Sequence, residues 1–336
     1  MKAMMLREIG GPNQLKLEDV EMPKPSLKEV VVRLKAAALN RRDLMVVHGL
    51  YPGIKLPSIL GSDGAGEVVE VGGEVEDVLI GDEVIINPGL NWGNDTSKKR
   101  AGFTVLGNPI DGTFAQYVKV QVENVYSKPS HLSWEEAAAL PLAGLTAYRA
   151  LVTKGKVKNG ETVLIPGVGG GVATYLVQFA AALGAEVFVT SSKKEKIEKA
   201  KRFGATGGVQ YTSDDWSEEL EKLTGGIDLS IDSIGGEVFK TLISLGKIGS
   251  RIVSFGATRG PVPNLLLPSI TVKEMSLIGS TMGSPQDFAE MVKLVEEHEI
   301  HPILDETFSL GQVSEALFRM EKGENFGKIV LTIPQD

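Results

Sequence analysis

The residues with the most readable chemistry lie in "TVLIPGVGGGVATYLVQFAAALGA", residues 162 to 185: a strand, a glycine turn and a helix, in that order. Glycines in such a turn let backbone N–H groups approach a pyrophosphate, and the helix N-terminus favours its charge. Gly167, Gly169, Gly170, Gly171 and Val172 are the candidates for that contact. The spacing is GxxGxxA, on Gly167, Gly170 and Ala173, rather than GxGxxG. A lone glycine motif is weak. This one stands in the required strand–turn–helix context and begins a β/α alternation, which favours a dinucleotide site over a merely structural turn.

The next strand ends in "VFVTSSKKEK", roughly 20 residues on, where an NAD enzyme places Asp or Glu for the ribose 2′-hydroxyl. Ser191 and Ser192 stand there instead, followed by Lys193, Lys194 and Lys196. Hydroxyls and cations without a carboxylate suit a 2′-phosphate, so the cofactor expected is NADP, bound as NADPH. The same residues also read as a serine-capped helix with a lysine face in water.

The rest of the composition excludes more than it assigns. With no cysteine, disulfides, thiolate metal sites and cysteine nucleophiles are all ruled out. A net charge of −8 gives no electrostatic reason to expect nucleic acid. No apolar run approaches the roughly 20 residues of a membrane span, and "MKAMMLREIGG" lacks the apolar core of a signal peptide. A cytoplasmic protein without a membrane partner is expected. His48, His131, His298 and His301 form no metal-ligand pattern; the last two, in "EEHEIH", suit a helix end that welcomes a cation.

At 336 residues two domains are expected. To about residue 126 the chain reads as short strands with turn punctuation, such as "EVVVRLKAAAL", "AGEVVEVG" and "TFAQYVKV", a β-rich, barrel-like domain. At Ser133 the texture changes: "SWEE" is a capping box that opens a helical run. Six strands then alternate with helices, among them "EVFVTS", "DLSIDS" and "RIVSFG", the pattern of a doubly wound parallel sheet. "GKIVLTI" near the end returns to the first domain. The α/β protein is thus divided into 1–126 with 281–336, and 127–280 as the cofactor domain. "EMSLIGSTM", residues 274 to 282, reads as an apolar edge strand open to pairing with a copy of itself.

Taken together these pieces resemble the medium-chain dehydrogenase/reductase superfamily over nearly the full length. "AALNRRDLMVVHGLYPG", "LPSILGSDGAGEVVEVG", "GTFAQYV", "EEAAALPLAGLTAYRAL", the glycine turn and "FGKIVL" carry the resemblance. It is most similar to the zinc-free branch with quinone oxidoreductases, and to proteins called zinc-type alcohol dehydrogenase-like. The resemblance implies a GroES-like β domain and a six-stranded Rossmann domain, joined in a homodimer through the edge strand. In zinc alcohol dehydrogenases the catalytic metal is held by Cys, His and Cys, with a Glu beside the His. Asn40, Ser62 and Leu142 match those ligands here and Asp63 matches the Glu, so no catalytic zinc is expected. The hydroxyl that starts the alcohol proton relay falls at Arg42. "NPGLNWGNDTSKKRAGFTVLG" takes the place of a lobe built around four cysteines and a structural zinc.

By the same resemblance Tyr51, Asn40 and Asp43 are the candidate catalytic residues. Tyr51 is the first choice and Asn40 the second for a hydrogen bond to a developing oxyanion. The competing reading has Tyr51 packing a cleft wall and Asn40 satisfying backbone groups, while Asp43 orients Arg41 or Arg42. Thr146 matches a contact to the nicotinamide carboxamide and Lys328 a cation near the pyrophosphate. Lys196 and Tyr211 match the 2′-phosphate pocket, and Phe255 with Gly256 completes the cofactor set. The function implied is an NADPH-dependent reductase passing hydride to activated double bonds or quinones of a small electrophilic substrate, without a metal. The alternatives are a 2-enoyl thioester reductase and a non-catalytic NADPH-binding sensor or structural protein.

Overall fold

A computed structural model describes residues 1–265 and 267–335. The chain forms two compact units, Met1–Ala143 together with the residues from Ser284 onward, and Gly144–Gly283 between them. The first unit is built on strand Glu29–Ala38, whose apolar run "EVVVRLKAAA" is almost wholly buried. It pairs antiparallel with Asp63–Val71, with Tyr117–Gln121 and with Lys328–Thr332. Glu83–Ile86, Val125–Ser127 and Leu304–Ser309 complete a seven-stranded sheet, and a small sheet of Leu15–Asp19, Lys2–Leu6 and Ser58–Ile59 lies in the same unit. Its core gathers Val30, Val32, Leu34, Phe114, Leu317 and Leu331 from distant parts of the chain. The capping-box helix Trp134–Ala139 packs on Glu29–Ala38 and Asp63–Val71. Ser133 Oγ accepts from the Glu136 N–H, and Glu136 accepts from the Ser133 N–H.

The second unit is a six-stranded parallel sheet. Its spatial order is Gly207–Gln210, Glu186–Ser191, Thr162–Ile165, Ile227–Asp232, Gly246–Ser254, Ser276–Gly279. Numbered along the chain that is 3-2-1-4-5-6, the doubly wound order of dinucleotide-binding sheets. "TVLI" is buried at every position, as expected of a parallel strand covered on both faces. Helices Gly171–Ala182, Lys194–Arg202, Trp216–Thr224 and Val238–Leu245 supply the first four crossovers. In such sheets the order reverses beside the first strand, and ligands bind at the carboxyl ends there.

Candidate active site

The glycine turn leaves the first strand of the parallel sheet at that reversal. Gly167 has φ +69°, and a Cβ built on it would lie 2.6 Å from Ile234 Cδ1. The left-handed backbone is what favours glycine here, and a side chain would also have to push the Ile234 methyl aside. Its N–H donates to Thr190 Oγ1 at 3.1 Å and the Val168 N–H donates to the Thr190 carbonyl at 2.8 Å, which ties the turn to the neighbouring strand. Helix Gly171–Ala182 then starts at Gly170 with no side chain capping it. A Cβ on Gly170 would meet nothing within 4 Å. An uncapped helix N-terminus with room before it is the physical requirement for a phosphate. These residues fit a dinucleotide.

Ser191 ends the adjacent strand, paired with Gln210. The Tyr211 N–H donates to the Ser191 carbonyl at 3.1 Å, and Gln210 Nε2 donates to the Ser192 carbonyl at 3.2 Å. Ser191, Ser192 and Tyr211 are thus brought together, with Lys196 in the first turn of helix Lys194–Arg202. Ser191 Oγ itself accepts from the Lys193 N–H at 3.2 Å, so it caps the turn into that helix. Phe255 leaves the fifth strand with its N–H on the Asp232 carbonyl, and Ser254 Oγ donates to the Gly256 carbonyl. Thr146 is buried in helix Pro141–Tyr148.

The first unit collects the other candidates around Asp63, which is fully buried. Asp63 Oδ2 accepts from Lys328 Nζ at 2.7 Å and from Asn40 Nδ2 at 2.9 Å; Oδ1 accepts from the Leu142 N–H at 2.8 Å. Lys328 also donates to Asn40 Oδ1 at 2.8 Å and to the Leu39 carbonyl at 2.7 Å. All three hydrogens of its ammonium are therefore engaged inside this unit. Asn40 precedes helix Arg41–Val47, and its N–H donates to Asp43 Oδ2 at 2.8 Å. Asp43 closes the first turn of that helix rather than gripping Arg41 or Arg42. Its other oxygen has no donor among the described residues. Burial pushes its carboxyl up to about 6, and Arg42 nearby pulls the other way.

Arg42 has a different set of hydrogen-bond partners. Its Nη1 donates to Ser62 Oγ at 2.7 Å and to the Leu106 carbonyl at 2.9 Å, and Nη2 donates to the Asn108 carbonyl at 3.0 Å. Its Cζ lies 4.7 Å from the Tyr51 ring centroid. Tyr51 is half-buried against the core of this unit, on a turn between Gly49 at φ +73° and Gly53 at φ +71°. Arg42 thereby anchors the return of segment 87–112 to the body. Within that segment Leu90 and Gly89 pair with Thr104 and Val105. Trp92 meets Phe103 edge to face at 5.3 Å, and Arg100 donates to Asn91 O and Oδ1 at 2.9 and 3.0 Å.

The positions that match a metal site do not fit zinc. The Asn40 amide is shared between a lysine and a carboxylate. Ser62 Oγ accepts from Arg42 and donates to Leu106 O at 2.7 Å, and Leu142 offers only its backbone. Asp63 is the one carboxylate, and an ammonium already sits on it. Zinc takes thiolate, imidazole or carboxylate, three from the protein at a catalytic centre. Among the described residues no group of three such side chains is placed to hold a metal. The Lys328–Asp63 pair, 265 residues apart, is the feature that sequence reasoning missed. A lysine in the apolar strand "KIVLT" is its single trace.

A β-sheet unit carrying a buried polar cluster, and a doubly wound sheet with a glycine turn at its switch point, define an oxidoreductase built on the alcohol-dehydrogenase plan. Residues 26–130 match the alcohol dehydrogenase GroES-like domain and residues 171–297 the zinc-binding dehydrogenase family. The chain is 39% identical to a zinc-type alcohol dehydrogenase-like protein of Schizosaccharomyces pombe, over 97% of both chains. It is 32% identical to an acryloyl-coenzyme A reductase of Sulfurisphaera tokodaii, over 98% of this chain and 99% of the other. A solved NAD-dependent alcohol dehydrogenase superposes with a TM-score of 0.95 at 38% identity, covering 99% of this chain and 100% of that one. This protein belongs to the medium-chain dehydrogenase/reductase superfamily.

Proposed function

We propose that the protein is an NADPH-dependent reductase that delivers hydride to activated double bonds or quinones without a metal. The observation that carries this reading is the Asn40–Asp63–Lys328 cluster at the positions that match a metal site, with Arg42 in place of a relay hydroxyl. Oxidising an alcohol requires removal of the hydroxyl proton. Asn40, Ser62 and Leu142 do not offer the ligands a catalytic zinc takes, and Arg42 stands at the position that matches the relay hydroxyl. Reduction of an enone or quinone needs less: the incoming charge spreads over a conjugated system, and the last proton can come from water. A bound nicotinamide cofactor supplies the hydride. The protein's part is to hold both reactants and to present hydrogen-bond donors to the oxygen that becomes negative, Tyr51 and Asn40 in this chain.

NADPH is preferred in this reading because Ser191 and Ser192 stand where a carboxylate would repel a 2′-phosphate, beside Lys193, Lys194 and Lys196. A second reading, a 2-enoyl thioester reductase, is favoured by the acryloyl-coenzyme A reductase relative. The deciding experiment follows NADPH and NADH oxidation against enones, quinones, aldehydes and short enoyl thioesters, on protein analysed for metals. Turnover of enones or quinones by zinc-free protein is expected. One tightly bound zinc per chain with alcohol oxidation would overturn the proposal. NADPH binding without turnover of any acceptor would favour a sensing role.

A further inference from the structure

The side-chain amide of Asn40 cannot flip. An ammonium only donates and a carboxylate only accepts. The atom 2.8 Å from Lys328 Nζ is therefore the amide oxygen, and the atom 2.9 Å from Asp63 Oδ2 is the nitrogen. The chemistry of the partners thus settles an assignment that is otherwise ambiguous. Asn40 is 6% exposed, Lys328 3% and Asp63 0%, so water competes for none of these bonds. Two stretches hold the ammonium: the consecutive residues Leu39 and Asn40, which link strand Glu29–Ala38 to helix Arg41–Val47, and strand Asp63–Val71. The amide nitrogen carries two hydrogens and spends one on Asp63. The other has no acceptor among the described residues, and its direction is set by the plane of the amide.

A cation on the oxygen of an amide draws electron density from its nitrogen, and donors in such a chain strengthen one another in a dry setting. We propose that Lys328 is a positioning residue for the reductive step: it locks and polarises the Asn40 amide, whose remaining N–H receives the oxyanion formed on the substrate. This rests on the reductase reading above. When the hydride pair makes the new C–H bond at the β-carbon of an enone, the C=C pair moves toward the carbonyl and leaves the negative charge on its oxygen. That oxygen accepts the Asn40 N–H. A proton from water completes the α-carbon, and Lys328 keeps its own proton throughout.

The test is a double-mutant cycle on the full-length protein: wild type, Asn40→Ala, Lys328→Met and the double variant. Turnover and KM on an enone are read at saturating NADPH, and NADPH affinity is measured separately by fluorescence titration. Asn40→Ala should lower kcat about 10²-fold, as loss of one well-placed oxyanion donor does. Lys328→Met should lower kcat similarly, and the double variant should be no worse than the poorer single one, with NADPH affinity held within about twofold. Should Lys328→Met fail to fold, because it leaves Asp63 buried and unpaired, Lys328→Arg carries the same cycle. It keeps a charge on Asp63 and displaces the donor from Asn40 Oδ1. Multiplying losses in the double variant would overturn the proposal, as would an unchanged kcat in either single one. A Lys328 variant that chiefly weakens NADPH would return the lysine to the pyrophosphate. A wild type inactive on every acceptor would remove the reductase reading itself, which an active wild type with unaffected variants would leave standing.

Discussion

Tyr51 keeps its ring over the Arg42 guanidinium, so its contribution divides into packing, which phenylalanine retains, and a hydroxyl, which it does not. Tyr51→Phe is therefore expected to lower enone turnover by up to about 10²-fold with NADPH binding intact. An unchanged rate would assign the ring to packing alone and leave Asn40 as the donor. Asp43 makes a separate prediction. Its carboxyl rises from 3.8 to about 6 on folding, burial being the largest cause. Between those values the folded state holds more proton than the unfolded one, so the stability owed to Asp43 falls as pH rises through the window. The full effect is on the order of 3 kcal/mol, with Arg42, Asp63 and Lys328 the charged groups that face it. Asp43→Asn removes the titration. Its melting temperature relative to wild type should improve between about pH 4 and about pH 7.5; a flat or opposite trend would show that the carboxyl is charged throughout.

At the scale of elements, segment 87–112 is held by side chains in the absence of cysteine. Trp92 is 2% exposed, its indole N–H donates to the Asp95 carbonyl at 3.0 Å, and its ring meets Phe103. Trp92→Ala should destabilise the protein by about 3–5 kcal/mol, as large-to-small changes in packed sites do, whereas a chelator should leave the wild-type melting curve where it is. A chelator-sensitive curve would contradict this account of the lobe. At the end of strand Glu186–Ser191, the serines and the first turn of helix Lys194–Arg202 set the expected cofactor preference. Lys196→Ala should weaken NADPH selectively, by a factor consistent with about 1.5–3 kcal/mol for a charge-assisted bond. Equal losses for NADPH and NADH would sink that assignment.

For the whole molecule, we propose a homodimer formed through strand Ser276–Gly279. It closes one side of the parallel sheet, and among the described residues it pairs only with Gly246–Ser254. Leu277 on it is exposed, as are Ile248 and Val272, and the Gly249 N–H donates to the Lys273 carbonyl at 2.7 Å, which brings those two stretches side by side. An open, apolar edge invites pairing with its own copy. Sedimentation at micromolar concentration should show a dimer that Leu277→Lys dissociates; a wild-type monomer would refute the proposal. No helix among the described residues is long and apolar enough to cross a membrane.

What the sequence determined by itself was whatever depends on neighbours along the chain. The glycine turn with its strand and helix, the Ser133–Glu136 capping box and the period of the six parallel strands are local: backbone conformation, hydrophobic alternation and capping act over a few residues. The lack of thiols and the substitutions at Asn40, Ser62 and Leu142 were legible for the same reason, since ligand chemistry belongs to residue types. Only the tertiary structure decided the use of the charges. The resemblance singled out Asp63, Arg42 and Lys328 one by one, but nothing local showed that Lys328 sits on Asp63. Lys328 meets Asp63 because strand Lys328–Thr332 and strand Asp63–Val71 both pair with Glu29–Ala38, whereas Arg42 finds its partners in Ser62, Leu106 and Asn108. A charge taken from water must find a partner, and which partner it finds depends on strand register across the whole chain, which no local pattern encodes.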